Sequence, residues 1–195
     1  FNFLLMAAHD TTASTLTALT WYLARNPQWQ DRLAAEVGSL GGSAADPDVA
    51  NDMPLTDRVM RETLRLMAPV PFIPRQALRD FTWNGVVIPA GTPVTAMPGT
   101  VMMDPRYFPH PERFDPDRFA PERAEDKAHK FAWAPFGGGA HKCMGLHFSS
   151  MQTKAFVRAL LSRFRVHETP GSTVVWNRLP VPKPRGGLPI VLSAR

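Results

Sequence analysis

The sequence has a single cysteine, no long hydrophobic run and no block of like charges. One cysteine cannot form an internal disulfide or a cysteine-rich zinc site, so Cys143 is either a buried apolar residue or a reactive or metal-ligating thiol. No window approaches the ~18 apolar residues of a transmembrane helix. The 22 Lys and Arg residues are scattered among 17 Asp and Glu residues, which is unlike the basic stripe of a nucleic-acid-binding protein. The sequence therefore predicts no membrane segment and no nucleic-acid partner, while the net charge of +5 leaves room for a basic docking surface.

Proline, in contrast, is in excess. It accounts for 20 of the 195 residues, roughly twice its usual ~5%, and it is excluded from helix interiors and central strands. Part of the chain must therefore be irregular but specifically shaped. Hydrophobic residues make up 44%, which is enough for a core and excludes intrinsic disorder. The length fits one domain or part of a larger one. Because the sequence opens inside an apolar helical pattern, without an initiator Met or a signal peptide, we expect that an upstream segment is missing.

Apolar residues at spacings of three and four predict four helices, over residues 1–25, 27–40, 55–67 and 144–164. Polar residues between 41 and 48 predict a loop. Short β-like segments follow at 72–77, 82–88, 93–96, 174–176 and 189–192, with a hairpin turn at Asn84-Gly85. Residues 104–135 carry six prolines and show no periodicity, but their aromatic residues indicate ordered packing.

The single cysteine lies in a glycine-rich segment, residues 136–145, just before the last predicted helix. Three successive glycines permit backbone conformations closed to other residues and allow a flat ligand to approach. A helix N-terminus favours a thiolate, and a hydrogen-bonded thiolate is a good ligand for a soft metal. Two alternatives stay open: a buried free cysteine, or a nucleophile paired with His141. Walker A and dinucleotide-binding motifs are excluded, because Cys143 follows Lys142 and no glycine stands at position 142.

Two further pairs of residues could carry chemistry. Glu62 and Arg65 are three apart on the third predicted helix, and Glu62 falls on its apolar face, where a carboxylate needs a partner. Asp10 and Thr11 lie in the middle of the first predicted helix, where an acid beside an alcohol could relay protons into a dry pocket. For Glu62 and Arg65, the alternative is an ion pair on the protein surface. For Asp10 and Thr11, it is a threonine whose hydroxyl bonds back to a helix carbonyl.

These motifs occur in an order that resembles the cytochrome P450 family. Ala7-Ala8-His9-Asp10-Thr11-Thr12 comes first, Glu62-x-x-Arg65 second, a segment running from His110 to Phe119 third, and Phe136-x-x-Gly139-x-x-x-Cys143-x-Gly145 last. The resemblance covers essentially the whole chain but only about the second half of a family member. It implies that residues 1–195 are a partial P450 domain, mainly α with a small β portion, in the carboxy-terminal part of that fold.

The resemblance implies haem b as cofactor. Cys143 matches the axial thiolate ligand of the iron, and Phe136, Gly139 and Gly145 match the residues around that ligand. His141 matches a position that pairs with a haem propionate, and Arg75 matches a second such position.

Other residues match the family's structural and catalytic positions. Glu62, Arg65 and Arg118 match a structural triad that holds the proline-rich segment against the core. Asp10 and Thr11 match the pair that delivers protons to dioxygen. Residues 70–73 match a strand that lines the substrate pocket, and all four are apolar. Ala8 is a departure, since the family more often has Gly there.

The function implied is that of a haem-thiolate monooxygenase fragment, whose parent inserts one atom of O2 into a hydrophobic small molecule. Electrons would come from NAD(P)H through a ferredoxin, flavodoxin or reductase, which could dock near Cys143, Lys142, Lys130 and Arg123. We expect a cytoplasmic location, since any anchor would lie upstream. The alternatives are a non-catalytic remnant, a haem-binding module that needs its amino-terminal half, and an enzyme that uses hydrogen peroxide.

Overall fold

The computed structural model describes residues 2–41 and 52–195. Four long helices form the main part of the fold, and a single-turn helix lies between the third and fourth. They are α1 (Asn2–Arg25), α2 (Pro27–Ser39), α3 (Pro54–Leu66), α4 (Pro98–Val101) and α5 (Leu146–Leu161). Proline stands at the first position of α2, α3 and α4, where its missing N–H costs nothing. The four predicted helices are confirmed, whereas the predicted loop lies outside the described residues beyond Gly41.

The strands form four antiparallel pairs. The pairs are β1 (Ile73–Gln76) with β4 (Pro93–Ala96), β2 (Phe81–Trp83) with β3 (Val86–Ile88), β5 (Phe164–Glu168) with β8 (Ile190–Ala194), and β6 (Trp176–Asn177) with β7 (Lys183–Pro184). The turn between β2 and β3 has positive φ at Asn84 and Gly85, as the hairpin prediction required. The irregular segment between α4 and α5 contains the 3₁₀ turns Pro116–Phe119, Glu125–Lys127 and Gly139–His141.

The carboxy-terminal end of the last helix was predicted wrongly. The prediction continued the helix to residue 164, but α5 ends at Leu161 and β5 begins at Phe164. The reason is tertiary: Val166 is 1% exposed, and its backbone pairs both with β8 and with a side chain of α2. Strand β7 was also missed, because two residues that include a proline carry no alternating pattern.

The largest apolar core lies where the helices meet. It is built from buried residues of α1, α2, α3 and α5 together with one residue before α3: Leu19, Leu23, Trp29, Leu33, Val37, Met53, Val59, Val157 and Leu161. A smaller cluster of Phe108, Phe119 and Ala132 lies within the proline-rich segment, which confirms that the aromatic residues there are packed. Among the described residues, no helix is long and apolar enough to cross a membrane.

The start of α3 is fixed by a carboxylate from the preceding helix. The side chain of Glu36 accepts hydrogen bonds from the backbone N–H groups of Leu55 and Thr56, at 2.6 and 3.0 Å, and from the Thr56 hydroxyl at 2.6 Å. These N–H groups belong to the first turn, which has no partners within the helix. A negative charge there also interacts favourably with the helix dipole.

A buried glutamine joins α1, α2 and β5. The Nε2 of Gln30 donates to the carbonyl oxygens of Leu23 and Val166, at 2.8 and 2.7 Å, and its Oε1 accepts from the Val166 N–H at 2.9 Å. Gln30 is fully buried, so removing its amide would take this partner from both the N–H and the carbonyl oxygen of Val166, whereas the Leu23 carbonyl oxygen would keep the hydrogen bond from the Asn26 N–H at 3.2 Å.

We therefore expect Gln30→Leu to lower the free energy of unfolding by about 2–4 kcal/mol, because stranded buried polar groups cost ~1–3 kcal/mol each. Urea denaturation measures this loss. The control is Gln28→Leu, the same change at an exposed position of α2, which should shift the midpoint little. Equal effects of the two variants would contradict a role for the Gln30 hydrogen bonds.

Candidate functional site

The Cys143 thiol is exposed at the end of a closed loop. The backbone N–H of Cys143 donates to the carbonyl oxygen of Phe136 at 2.9 Å, which closes the glycine-rich segment on itself. Helix α5 begins at Leu146 with Gly145 as its N-cap. Cys143 therefore lies two residues before the cap rather than at the helix terminus itself. Within residues 2–41 and 52–195, no hydrogen bond reaches its Sγ, so the predicted N–H donors to the sulfur are not found there.

The glycines of the loop are required by its shape. Gly137 and Gly139 both have φ of +69°, a region that side chains rarely adopt. A Cβ on Gly138 would lie 2.5 Å from the Phe131 ring, whereas one on Gly139 would meet no atom within 4 Å. The loop is thus tight on the side of Phe131 and open on the side of Gly139. A Cβ on Gly145 would lie 3.7 Å from the Cys143 Sγ, so the thiol lies directly beside the start of α5.

Apolar side chains are exposed around this thiol. Met144 is 89% exposed, and Phe148 and Met151, one turn apart on α5, are 51% and 42% exposed. Exposed clusters of large apolar side chains mark surfaces that bind an apolar ligand or partner. The thiol therefore lies beside a surface suited to an apolar group.

His141 and Arg75 offer polar groups near the loop segment. His141 ends the 3₁₀ turn Gly139–His141 and is exposed. Arg75 lies in β1 and is also exposed, with one N–H donated to the carbonyl oxygen of Pro74 at 2.8 Å. Its neighbour Ile73 reaches the loop, since a Cβ on Gly137 would lie 3.5 Å from the Ile73 Cδ1.

Asp10 and Thr11 do not contact each other through their side chains. The Thr11 hydroxyl donates to the carbonyl oxygen of Ala7 at 2.7 Å. The Asp10 carboxylate lies 2.8 Å from Nδ1 of His9. The first contact is that of a threonine bonded back to a helix carbonyl, the alternative that the sequence left open. The Asp10 carboxylate contacts His9 rather than Thr11. Asp10 is 68% exposed, so it is accessible on α1.

Glu62, Arg65 and Arg118 form a buried charged cluster, as predicted. Glu62 accepts hydrogen bonds from Nε and Nη2 of Arg65, at 2.7 and 2.9 Å, and from Nε of Arg118 at 3.2 Å. It also accepts from the backbone N–H of Asp115 at 2.9 Å. All three charged side chains are at most 1% exposed. Arg113, five residues before Arg118, contributes only its carbonyl oxygen, which accepts from Nη2 of Arg65 at 3.2 Å.

The cluster ties α3 to the proline-rich segment through backbone carbonyls as well. Arg65 donates to Met102 and Pro111, at 2.9 and 2.7 Å, while Arg118 donates to Pro109 and, at 2.6 Å, to His110. Hydrogen bonds from charged donors to buried carbonyls are among the stronger ones. The irregular segment is therefore held in one conformation by two arginines.

A second connection, which the sequence analysis missed, joins α3 to the segment before Cys143. The Arg61 guanidinium lies over the rings of both Phe119 and Trp133, 4.4 and 4.7 Å from their centroids, and pairs with Asp126 at 2.7 Å. Trp133 Nε1 donates back to the Arg61 carbonyl at 3.0 Å. Its ring packs edge-on against Phe136, with centroids 6.1 Å apart. In the sequence, only the position of Arg61 directly before Glu62 could have indicated this connection.

Two titratable groups near the cluster have shifted pKa values. Arg32 donates two hydrogen bonds to Asp117, at 2.9 and 3.0 Å, and holds the pKa of that carboxyl below its ordinary value. Burial raises the pKa of Tyr22 to about 12, partly offset by the positive charge of Arg178. The Tyr22 ring stacks on Phe114, with centroids 4.7 Å apart, so α1 also packs on the proline-rich segment.

Comparison with known proteins places this fold in a known family. The cytochrome P450 family model matches residues 2–181. The putative cytochrome P450 136 of Mycobacterium tuberculosis is 40% identical over 99% of this chain and 39% of its own length. Cytochrome P450 4A2 of Rattus norvegicus is 37% identical over 91% of this chain and 34% of its own. The structure of retinoic acid-bound cyanobacterial CYP120A1 superimposes with a TM-score of 0.94 at 31% identity, over 99% of this chain and 45% of that chain.

The chain belongs to the cytochrome P450 family. Its mainly helical architecture with small sheets is a portion of the P450 fold, which confirms the predicted fold class. The chain spans about a third to two fifths of the length of the curated relatives it matches.

The residues present fit the haem that this family implies. A single accessible thiol is available as a metal ligand. Gly139 leaves open space beside it, and Met144, Phe148 and Met151 supply apolar surface. No cluster of three or more His, Cys, Asp or Glu side chains in the described part of the chain suits a metal, so a ligand set built on Cys143 alone is what this chain offers.

Proposed function

We propose that the protein containing this chain is a haem-thiolate monooxygenase, and that residues 1–195 form part of its P450 domain. The observation that carries the proposal is the exposed Cys143 thiol, held by the closed loop at the start of α5 and bordered by open space at Gly139. When bound through Cys143, haem b would supply the activation of O2, inserting one oxygen atom into a substrate and reducing the other to water. Membership of the family supports this chemistry.

The chain's own residues would hold the cofactor and manage water and protons. Cys143 would hold the haem iron through its thiolate, and the carbonyl oxygen of Phe136 closes the loop by accepting from the Cys143 N–H. His141 and Arg75 would bind the haem propionates, because both are exposed and cationic or able to donate hydrogen bonds. Glycine at 139 and 145 would keep Cβ atoms away from the ring and the sulfur.

Asp10 and Thr11 would move protons towards the site of oxygen chemistry. An exposed carboxylate can exchange protons with water and pass them to a neighbouring hydroxyl. The Thr11 hydroxyl donates to Ala7 here, so it would accept a proton through its free lone pairs.

The substrate would be hydrophobic. Residues 70–73 are apolar, and Val70 and Phe72 are 44% and 37% exposed. Retinoic acid, bound by the cyanobacterial neighbour, is a ligand of this kind. Electrons would come from NAD(P)H through an external ferredoxin, flavodoxin or reductase, and the cytoplasmic location expected from the sequence stays a prediction.

The function is tested with isotopically labelled O2. The natural polypeptide that carries these residues, loaded with haem and supplied with NAD(P)H and a redox partner, should place one labelled oxygen atom in the product. Mass spectrometry measures the label. Product formed with oxygen from water, or formed only with added peroxide, would contradict the proposal.

Thr11→Ala should uncouple the reaction rather than abolish binding. Removing one hydroxyl leaves a small cavity, so haem and substrate should bind nearly as before. NAD(P)H should still be consumed, but more oxygen should leave as hydrogen peroxide, because the proton would arrive in the wrong place. The measurement is the ratio of product to NAD(P)H consumed, which we expect to fall severalfold.

Two related variants complete this test. Asp10→Asn should slow NAD(P)H consumption itself, since the carboxylate is lost. Thr17→Ala is the matched control, because the Thr17 hydroxyl also donates to a carbonyl four residues earlier on α1. An unchanged ratio for Thr11→Ala would remove Thr11 from the mechanism.

A further inference from the structure

Trp133 contacts both α3 and the Cys143 loop, residues 136–143. Its Nε1 donates to the carbonyl oxygen of Arg61 on α3 at 3.0 Å, and the Arg61 guanidinium lies over its ring. The same ring packs edge-on against Phe136, with centroids 6.1 Å apart. The Phe136 carbonyl oxygen in turn accepts the Cys143 N–H at 2.9 Å. A continuous series of contacts therefore leads from α3 to the residue that carries the thiol.

The short segment before the loop is itself fixed in the interior. Ala132 is fully buried, and its N–H donates to the carbonyl oxygen of His129 at 2.9 Å. Phe131, the residue before it, lies so close to the loop that a Cβ on Gly138 would be 2.5 Å from its ring. Trp133, the residue after it, makes the second aromatic contact with the loop. The loop is thus supported by two aromatic side chains that flank a buried alanine.

Arg61 is held by more than its contact with Trp133. Its guanidinium pairs with Asp126 at 2.7 Å and also lies 4.4 Å from the centroid of the Phe119 ring. The side chains of Arg61 and Asp126 are 20% and 6% exposed, so water and salt screen this pair only in part. A cation over an aromatic ring is attracted more strongly where it is desolvated. Arg61 is therefore a fixed point against which the Trp133 ring is placed.

The position of the Cys143 sulfur depends on the backbone of the loop. The side chain is exposed, and in the described part of the chain no hydrogen bond reaches its Sγ. A metal ligand needs neighbouring groups that orient it. Here the printed contact that fixes Cys143 is the backbone hydrogen bond to Phe136. Whatever holds Phe136 in place therefore also places the sulfur.

We propose that Trp133 is a positioning residue for the Cys143 thiolate, and that Arg61 acts through it. Trp133 holds the Phe136 ring, and the Phe136 carbonyl holds the Cys143 N–H. This rests on the proposed function only in taking Cys143 as the haem ligand, because the placement of the loop needs no oxygen chemistry. The alternative is a purely structural role, in which loss of Trp133 lowers the stability of the whole fold without a particular effect on the loop.

The first test measures amide hydrogen exchange in the natural polypeptide loaded with haem. The Cys143 N–H exchanges when its hydrogen bond to Phe136 opens. Trp133→Leu removes one aromatic contact and one hydrogen bond, so exchange at Cys143 should accelerate by about 10-fold. Exchange at the buried Val166 N–H is the internal reference and should change far less.

The second test measures, per haem bound, the carbon monoxide difference band that marks a ferrous haem-thiolate. A displaced loop should leave part of the haem without its sulfur ligand, so Trp133→Leu should lower the band relative to haem content. Trp133→Phe keeps a ring beside Phe136 and should restore most of the band. Arg61→Gln leaves the Trp133 side chain intact and should give a smaller loss, which keeps the proposal testable if Trp133→Leu does not fold.

Arg32→Gln is the matched control for Arg61→Gln. Arg32 also lies over a tryptophan ring, 4.1 Å from the Trp29 centroid, and pairs with an aspartate of the proline-rich segment, Asp117, at 2.9 Å. It makes no printed contact with the Cys143 loop. This variant should therefore leave both the amide exchange in the loop and the band per haem unchanged.

Equal acceleration of exchange at Cys143 and Val166 in Trp133→Leu would mean that Trp133 acts only on stability, and would overturn the proposal. Equal effects of Arg61→Gln and Arg32→Gln on the loop would overturn it as well. If the unsubstituted protein lacked the band while Trp133→Leu still accelerated exchange at Cys143 alone, the proposed function would fail and the positioning of the loop would stand.

Discussion

Replacing Cys143 with serine is expected to abolish the long-wavelength absorption band that marks a ferrous haem-thiolate with carbon monoxide. That band depends on a sulfur ligand, and Cys143 is the only cysteine of the chain. A serine hydroxyl is a poor ligand for iron, so haem content should also fall. The two measurements are the carbon monoxide difference spectrum and the haem-to-protein ratio of the natural polypeptide.

The fold should survive this substitution, which makes the spectral loss interpretable. The Cys143 side chain is exposed, and only its backbone takes part in closing the loop. Circular dichroism and the urea midpoint should therefore stay close to those of the unsubstituted protein. Met144→Ala, at an 89% exposed position next in sequence, is the control and should retain the band. A Cys143→Ser protein that keeps the band would disprove the ligand assignment.

The second large effect is expected for Glu62→Ala. The Glu62 carboxylate accepts four hydrogen bonds. Its loss would leave the buried Arg65 guanidinium without a counter-charge and Arg118 with the Glu125 carboxylate alone, 2.9 Å from its Nη1. Breaking a buried ion pair costs ~3–5 kcal/mol. The free energy of unfolding should fall by about that amount, and haem should be lost because the proline-rich segment leading to the Cys143 loop is no longer held.

Two further variants separate this role from general damage. Glu62→Gln keeps the shape and some of the hydrogen bonds, so it should fall between the original protein and Glu62→Ala. Glu112→Ala makes the same truncation at an exposed position of the proline-rich segment and should change stability little. If Glu62→Ala gave a stable, haem-loaded and active protein, the structural role of the cluster would be wrong.

The buried cluster of Glu62, Arg65 and Arg118 is the predicted group of residues that the structure brings together. Glu62 and Arg65 are close because helical geometry places residues three apart on the same face. Arg118 could be assigned only through the family resemblance, since it bonds to Glu62 across 56 residues. The family resemblance placed Phe136 near the Cys143 loop, but the hydrogen bond that closes the loop and the positive φ angles of its glycines became visible only in three dimensions.

What the sequence could not predict depends on contacts distant in the chain. Strand β5 forms because β8 pairs along it and the buried Gln30 side chain bonds both backbone groups of Val166, and neither partner is near Val166 in sequence. The position of the Arg61 guanidinium over the rings of Phe119 and Trp133 depends on the path of an aperiodic segment. The Thr11 hydroxyl bonds to its own helix, a local alternative that sequence alone could not distinguish from a catalytic role.

The hydrogen bonds of Arg118 also suggest an order of assembly. Its bonds to the carbonyl oxygens of Pro109 and His110 close loops of only nine and eight residues, whereas its bond to Glu62 spans 56. Short loops close with less entropy loss, and loops of about ten residues close within ~10–100 ns. We therefore expect the proline-rich segment to coil around Arg118 early in folding and to dock onto α3 as a preformed unit.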